Sequence, residues 1–125
     1  MDIKLGMVEA CFADIIWANE PLTTKTLVEL CEKELSWKRT TTYTVLKKLC
    51  DRGLFVTKDR VVTSLLSKDE FHAIQSEQFV KENFHGSLPA FLAAFTTRKA
   101  PTPEELTEIK KLMDYAKEMD LIQDV

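Results

Sequence analysis

Apolar and polar positions alternate with a clear helical period between Trp37 and Gly53. Val45, Leu46 and Leu49, with Thr42 one turn earlier, fall at the i, i+3, i+4, i+7 spacing of an amphipathic helix. The opposite face carries Thr40, Thr44, Lys47 and Asp51, flanked by Thr41 and Lys48 on one side and Tyr43 on the other. Upstream, Val8, Cys11, Phe12, Ile15 and Ile16 predict a buried stripe on a first helix from Leu5 to Asn19, with Trp17 near its end. Asn19-Glu20-Pro21 breaks that helix, because a proline disfavours helical backbone in the residue before it. Thr23 or Thr24 can cap a second helix running to about Leu35, with Leu27, Val28, Leu30 and Cys31 inward. Only Leu35-Ser36 separates it from the third. Two helices joined so briefly, the second polar and basic outside, predict a helix-turn-helix.

Gly53 follows the third helix as a glycine C-cap would. Leu54 to Lys58 and Val61 to Leu66 then read as two short strands, rich in Val, Thr and Phe, around Asp59-Arg60. That turn lacks the glycine which the favoured two-residue hairpins use. A helix-turn-helix followed by a hairpin is a winged helix. From Ser67 the period is helical again: a helix through about Phe84 with Phe71, Ile74 and Phe79 on a sparse stripe, ended by Gly86. Ser87 caps a further helix with Leu88, Phe91, Leu92 and Phe95 at helical spacing. Thr102-Pro103-Glu104-Glu105 combines a capping box with Pro at the first helical position, and Leu106, Ile109, Leu112, Met113 and Ala116 follow on one face. The expected fold is mainly α with a small β-hairpin: a winged helix-turn-helix DNA-binding domain over 1–66, then a helical dimerisation region over 67–125. Phe84, Leu88, Phe91, Leu92, Phe95, Leu106, Ile109 and Met113 would form the dimer core, because one chain offers too little surface to cover them. The alternative is that these helices fold back on their own winged helix.

The distribution of charge is more telling than the overall composition. At 125 residues and 45% apolar content, the chain has the size and core of one ordinary domain or of a small domain with an appendage. The net charge of −3 hides an asymmetry. Residues 36–60 hold seven basic against two acidic side chains, a local balance of +5, whereas 67–125 hold seven against eleven. Affinity for nucleic acid follows the charge near the phosphates, so the basic element can serve an acidic chain. Lys38 and Arg39 lie in the first turn of the third helix, where the backbone dipole already favours an anion. The exposed hydroxyls and amines of Thr40, Thr41, Tyr43, Thr44, Lys47 and Lys48 are groups that major-groove readers use for phosphates and base edges. A solvated surface helix, or a winged helix used as a protein-interaction module, is the competing reading.

Other chemistry finds little support. His72 and His85 are too isolated for a metal triad or an acid–base pair. Gly6, Gly53 and Gly86 form no phosphate loop, and the acidic pairs Asp69-Glu70 and Glu104-Glu105 stand where helix dipoles explain them. No enzyme, cofactor or metal site is expected. Cys11, Cys31 and Cys50, odd in number and about 20 positions apart, fit neither a disulfide framework nor a close metal motif, and each reads as a small buried or half-buried apolar residue. No membrane span is expected, and Met1-Asp2-Ile3-Lys4 does not open like a signal peptide, so the expected compartment is the cytoplasm.

A resemblance sharpens these expectations. Glu9 … Ile16-Trp17, Leu22-Thr23, Trp37 with Thr40-Thr41 and Thr44, then Leu46, Leu49 and Gly53-Leu54 resemble the penicillinase-repressor family. The likeness continues through Ser67-Lys68-Asp69-Glu70-Phe71, Gly86-Ser87-Leu88 and the Glu-rich last helix. It implies a dimeric winged-helix repressor on double-stranded operator DNA of resistance-type genes. It further implies DNA contacts by Thr40, Thr41, Thr44 and Lys48. The stretch from Gly53 to Ser67 is shorter than the family's wing, with Arg60 in place of its wing arginine. Some members are inactivated by a sensor protease that cuts before a Phe in the first dimer helix. Phe95 matches that position, with Ala94 before it where those members carry Asn. The copper-responsive branch ends in a Cys cluster, whereas no Cys follows Cys50 here.

Overall fold

The computed structural model describes residues 4–119. Met1, Asp2 and Ile3, in the stretch read for a leader, lie outside them, as does the end of the region expected to dimerise, from Asp120 on. The elements are α1 (Met7–Asn19), β1 (Leu22–Thr23), α2 (Thr24–Leu35), α3 (Arg39–Asp51), β2 (Phe55–Lys58), β3 (Val61–Ser64), α4 (Lys68–Phe84), α5 (Leu88–Arg98) and α6 (Pro103–Glu118). This is a winged helix followed by further helices. By its internal contacts the chain divides into two compact units, residues 1–79 and 80–125, with α4 crossing the division.

Each early helix is ended by its local sequence. Thr23 accepts the Thr26 backbone N–H at 3.1 Å and starts α2. Ser36, in the left-handed region at φ 57°, ends α2 and turns the chain toward α3. Gly53, at φ 84°, donates to the Cys50 carbonyl at 3.0 Å, and Leu54 donates to that of Leu49 at 3.1 Å. That pair of bonds is the Schellman closure of α3, and it needs a residue without a Cβ strain penalty at position 53.

The core of the first unit gathers Phe12, Ile16, Leu27, Cys31, Leu46, Leu49, Leu54, Phe55 and Val62, with Phe12 stacked on Trp37 at 5.4 Å. Thr42 is buried on the inner face of α3, its hydroxyl donating to the Lys38 carbonyl at 3.3 Å. Two inward assignments on α1 are corrected. Val8 and Cys11 are exposed and Ala13 is buried. The helix begins at Met7 rather than Leu5, which leaves Val8 in an outer first turn. At about 100° per residue the buried arc centres between Phe12 and Ile16, which puts Cys11 outside it.

The sheet has three strands in the order β1-β3-β2, all antiparallel. The hairpin register pairs Phe55 with Ser64 and Lys58 with Val61. Its turn residues Asp59 and Arg60 lie at φ 52° and 63°, the left-handed pair that a type I′ turn demands even without glycine. The two-residue strand β1, which pairs Leu22 with Val62, has no periodic signature and went unpredicted. Glu20 ties β3 to the end of α1: its carboxylate accepts the Ser64 backbone N–H at 2.9 Å and the Ser64 hydroxyl at 2.8 Å.

Ser67 and Glu70 close a capping box on α4, with reciprocal bonds of 3.0 and 3.1 Å. Phe71 is buried against Trp17, with ring centroids 5.3 Å apart, and Ile74 packs partly beside the same core. The Trp17 indole N–H donates to the Leu66 carbonyl at 2.9 Å. Phe79, assigned to the same stripe, is largely exposed. In the second unit, Ser87 and Thr102 cap α5 and α6 as predicted. Phe84, Phe91 and Phe95 form a run of ring contacts at 5.6 and 6.2 Å. Leu88, Leu92, Phe95, Leu106, Ile109, Leu112 and Met113 are exposed in the single chain.

Candidate nucleic-acid interface

The inner stripe Thr42, Leu46 and Leu49 seats α3 in the core and turns its other face outward. Thr40, Thr41, Tyr43, Thr44, Lys47 and Lys48 are all exposed on α3, with Arg39 at its first position and Lys38 as its N-cap residue. The first turn carries no acidic residue, so the N–H groups and the two cations there present an uninterrupted positive end.

The hydroxyls are oriented by their own helix. Thr44 donates to the Thr40 carbonyl at 2.9 Å, which leaves its oxygen lone pairs and its methyl to meet a partner. The Arg39 guanidinium lies over the Tyr43 ring, 5.5 Å from its centroid. The Tyr43 phenol is held below its ordinary value, first by a hydrogen bond with Thr24 and then by Arg39 and Arg60. Arg60 reaches this neighbourhood because the wing turn is fastened to α2: the Thr24 N–H donates to the Arg60 carbonyl at 3.0 Å. Arg39, Tyr43 and Arg60 consequently line one cleft with Thr24 and Lys25 of α2 and Thr57 of β2.

The remaining cations are placed differently. Lys47 pairs with Asp51 one turn on, at 3.0 Å, with both side chains largely solvated. Lys48 turns toward α1 and meets the Glu9 carboxylate at 2.9 Å. Arg52, at the end of α3, stands 3.8 Å from the same carboxylate and donates to the Lys4 carbonyl. These contacts hold the Glu9 carboxyl below its ordinary value, through the Lys48 hydrogen bond first and the Gly6 N–H next. The α2 contribution to the cleft and the Glu9 contact were both missed in the sequence. The first depends on how the wing docks on α2. The second links residues far apart in the chain, and Glu9 taken locally is explained as a helix-capping residue.

Among the described residues, no group of three or more His, Cys, Asp and Glu side chains could hold a metal ion. Also among them, no helix is long and apolar enough to cross a membrane. The His72 ring lies 3.3 Å from the Gln75 amide and edge-on to Phe71. Cys11, Cys31 and Cys50 are free thiols, and burial raises those of Cys31 and Cys50 above the ordinary value. Compared with known families, residues 5–115 match the model described as penicillinase repressor. No curated protein matches the chain.

Proposed function

The chain belongs to the penicillinase repressor family, and we propose on that footing that it is a dimeric, sequence-specific repressor which reads operator DNA with α3. The carrying observation is the outer face of α3, where three threonines stand beside a positive helix start with the wing arginine docked next to it. In this reading Thr40, Thr41 and Thr44 meet base edges in the major groove. Lys38, Arg39, Lys47, Lys48 and Arg60, with Tyr43, meet the backbone. The regulated genes are of the antibiotic-resistance type or related to it, and the protein acts in the cytoplasm as a regulator rather than an enzyme.

The exposed apolar residues of α5 and α6 support a homodimer through residues 67–120. Sedimentation at micromolar concentration should give twice the 14.3 kDa chain mass, and a folded monomer would refute the dimer. Relief of repression by a sensor protease is supported by the place of Ala94 and Phe95 on α5, within the surface assigned to the dimer, where a cut would separate α6 and divide that surface. A chain ending at Ala94 should bind DNA more weakly than the intact one, and equal binding would exclude cleavage there as the switch.

The test of the reading is a titration of the intact chain on short duplexes selected from a random library. Phosphate contacts make affinity fall steeply between about 50 and 200 mM salt. Absent or salt-insensitive binding would favour the rival use of this face, as a winged helix docking a protein partner.

A further inference from the structure

Resting on the DNA-binding reading above, we propose that Glu9 is a built-in competitor for the DNA backbone: its carboxylate occupies Lys48 as a phosphate would and thereby lowers DNA affinity. The geometry is specific. One Glu9 oxygen lies 2.9 Å from the Lys48 amine. The other accepts the Gly6 N–H at 3.1 Å and faces the Arg52 guanidinium at 3.8 Å. The carboxylate is held from three sides, and its side chain is 20% exposed. The Lys48 side chain is 59% exposed, so the cation is open to an incoming anion while its present partner is fixed.

The Lys47–Asp51 pair shows what is distinctive. It has a similar length, 3.0 Å, but its side chains are 78% and 66% exposed and lie on one helix. Asp51 can swing away into water when a phosphate approaches, so it opposes binding little. Glu9 is pinned by its bond to the α1 N-terminus. A phosphate at Lys48 must therefore displace the amine from Glu9 or share it, with two anions brought close together. The Gly6 N–H and the nearby Arg52 guanidinium hold the carboxylate in place without Lys48. Glu9 is thus a positioning residue that acts through Lys48, and it sets how much of α3's positive charge DNA receives.

Glu9→Gln is the discriminating variant, because glutamine at this capping position still accepts the Gly6 N–H while the charge is lost. A thermal melt checks that the fold is kept. On a random-sequence duplex, Glu9→Gln should tighten binding about threefold, the scale of one partly exposed ion pair. It should also steepen the dependence of log affinity on log salt by up to about 0.9, as for one more phosphate neutralised. In a Lys48→Ala background the same substitution should change affinity by less than about 1.5-fold, because the partner through which it acts is gone. Asp51→Asn should leave affinity nearly unchanged.

Equal tightening in both backgrounds would mean that Glu9 acts only as a general negative charge, and would overturn the proposal. Weaker binding by Glu9→Gln would overturn it too, showing that the carboxylate aims Lys48 at the phosphate instead. Both results leave the DNA reading intact. If the unsubstituted chain binds no duplex, the DNA reading fails and the proposal fails with it.

Discussion

Replacing Phe71 with Ala should destabilise the first unit by about 3 kcal/mol, the lower end of the range for truncating a buried phenylalanine. The side chain is only 3% exposed and its ring lies 5.3 Å from that of Trp17, which in turn lies 5.6 Å from Phe55. The substitution therefore removes the end ring of a chain of three and opens a cavity beside Trp17. The lower end applies because Phe71 is contributed from the edge of the core, by a helix whose next inward residue, Ile74, is only partly buried. Trp17 stays tethered by its 2.9 Å bond to the Leu66 carbonyl, which limits but does not prevent collapse into the space. With a urea dependence of about 2 kcal/mol per molar, the unfolding midpoint should fall by about 1.5 M. The assay is urea unfolding followed by tryptophan fluorescence, at fixed protomer concentration because association would add to apparent stability. Phe71→Leu, which conserves most of the volume, should lose less than about 1.5 kcal/mol. A loss below about 1 kcal/mol for Phe71→Ala would show that the start of α4 is not part of this core.

Gly53→Ala should cost about 1–2 kcal/mol in the same assay, since φ 84° puts a Cβ in the left-handed region at the close of α3; no loss would mean that α3 ends without the Schellman closure. The capping carboxylates Glu70 and Glu105 sit below their ordinary value of 4.5, each through the backbone N–H of its cap residue first. A depressed carboxylate adds stability that is present above the unfolded value and is lost as pH falls through the folded one. The first turns of α4 and α6 should therefore exchange amide hydrogens faster, relative to mid-helix amides, as pH drops below about 4.5. Glu105→Gln should abolish that extra pH dependence in α6 and leave it in α4.

The periodic parts of this fold were legible because the physics that forms them is local. Thr23, Ser67, Ser87 and Thr102 cap the helices they precede, and Thr42, Leu46 and Leu49 face inward at the spacing that predicts it. The winged-helix order of elements followed from those runs together with the Val- and Thr-rich strands. What escaped depends on partners distant in sequence. The strand β1 exists because Leu22 and Thr23 lie along β3, and nothing in two residues announces a ladder. Cys11 is exposed because the core takes Ala13 instead, a choice made by packing rather than by hydrophobicity. At the site, the exposed threonines and the first-turn cations of α3 could be picked out from helical spacing alone. The direction of Lys48 could not, because Glu9 stands on another helix.

Whether the outer face of α3 reads base edges is decided by Thr44→Ala. The Thr44 hydroxyl already donates to the Thr40 carbonyl, so it can only accept from a base while its methyl meets an apolar edge. Binding of the unsubstituted and substituted chains should be titrated on a duplex selected by the former and on a scrambled duplex of equal length. Thr44→Ala should cost about 1–3 kcal/mol on the selected duplex and far less on the scrambled one. Equal affinity of both proteins for the selected duplex, or an equal loss on both duplexes, would contradict it.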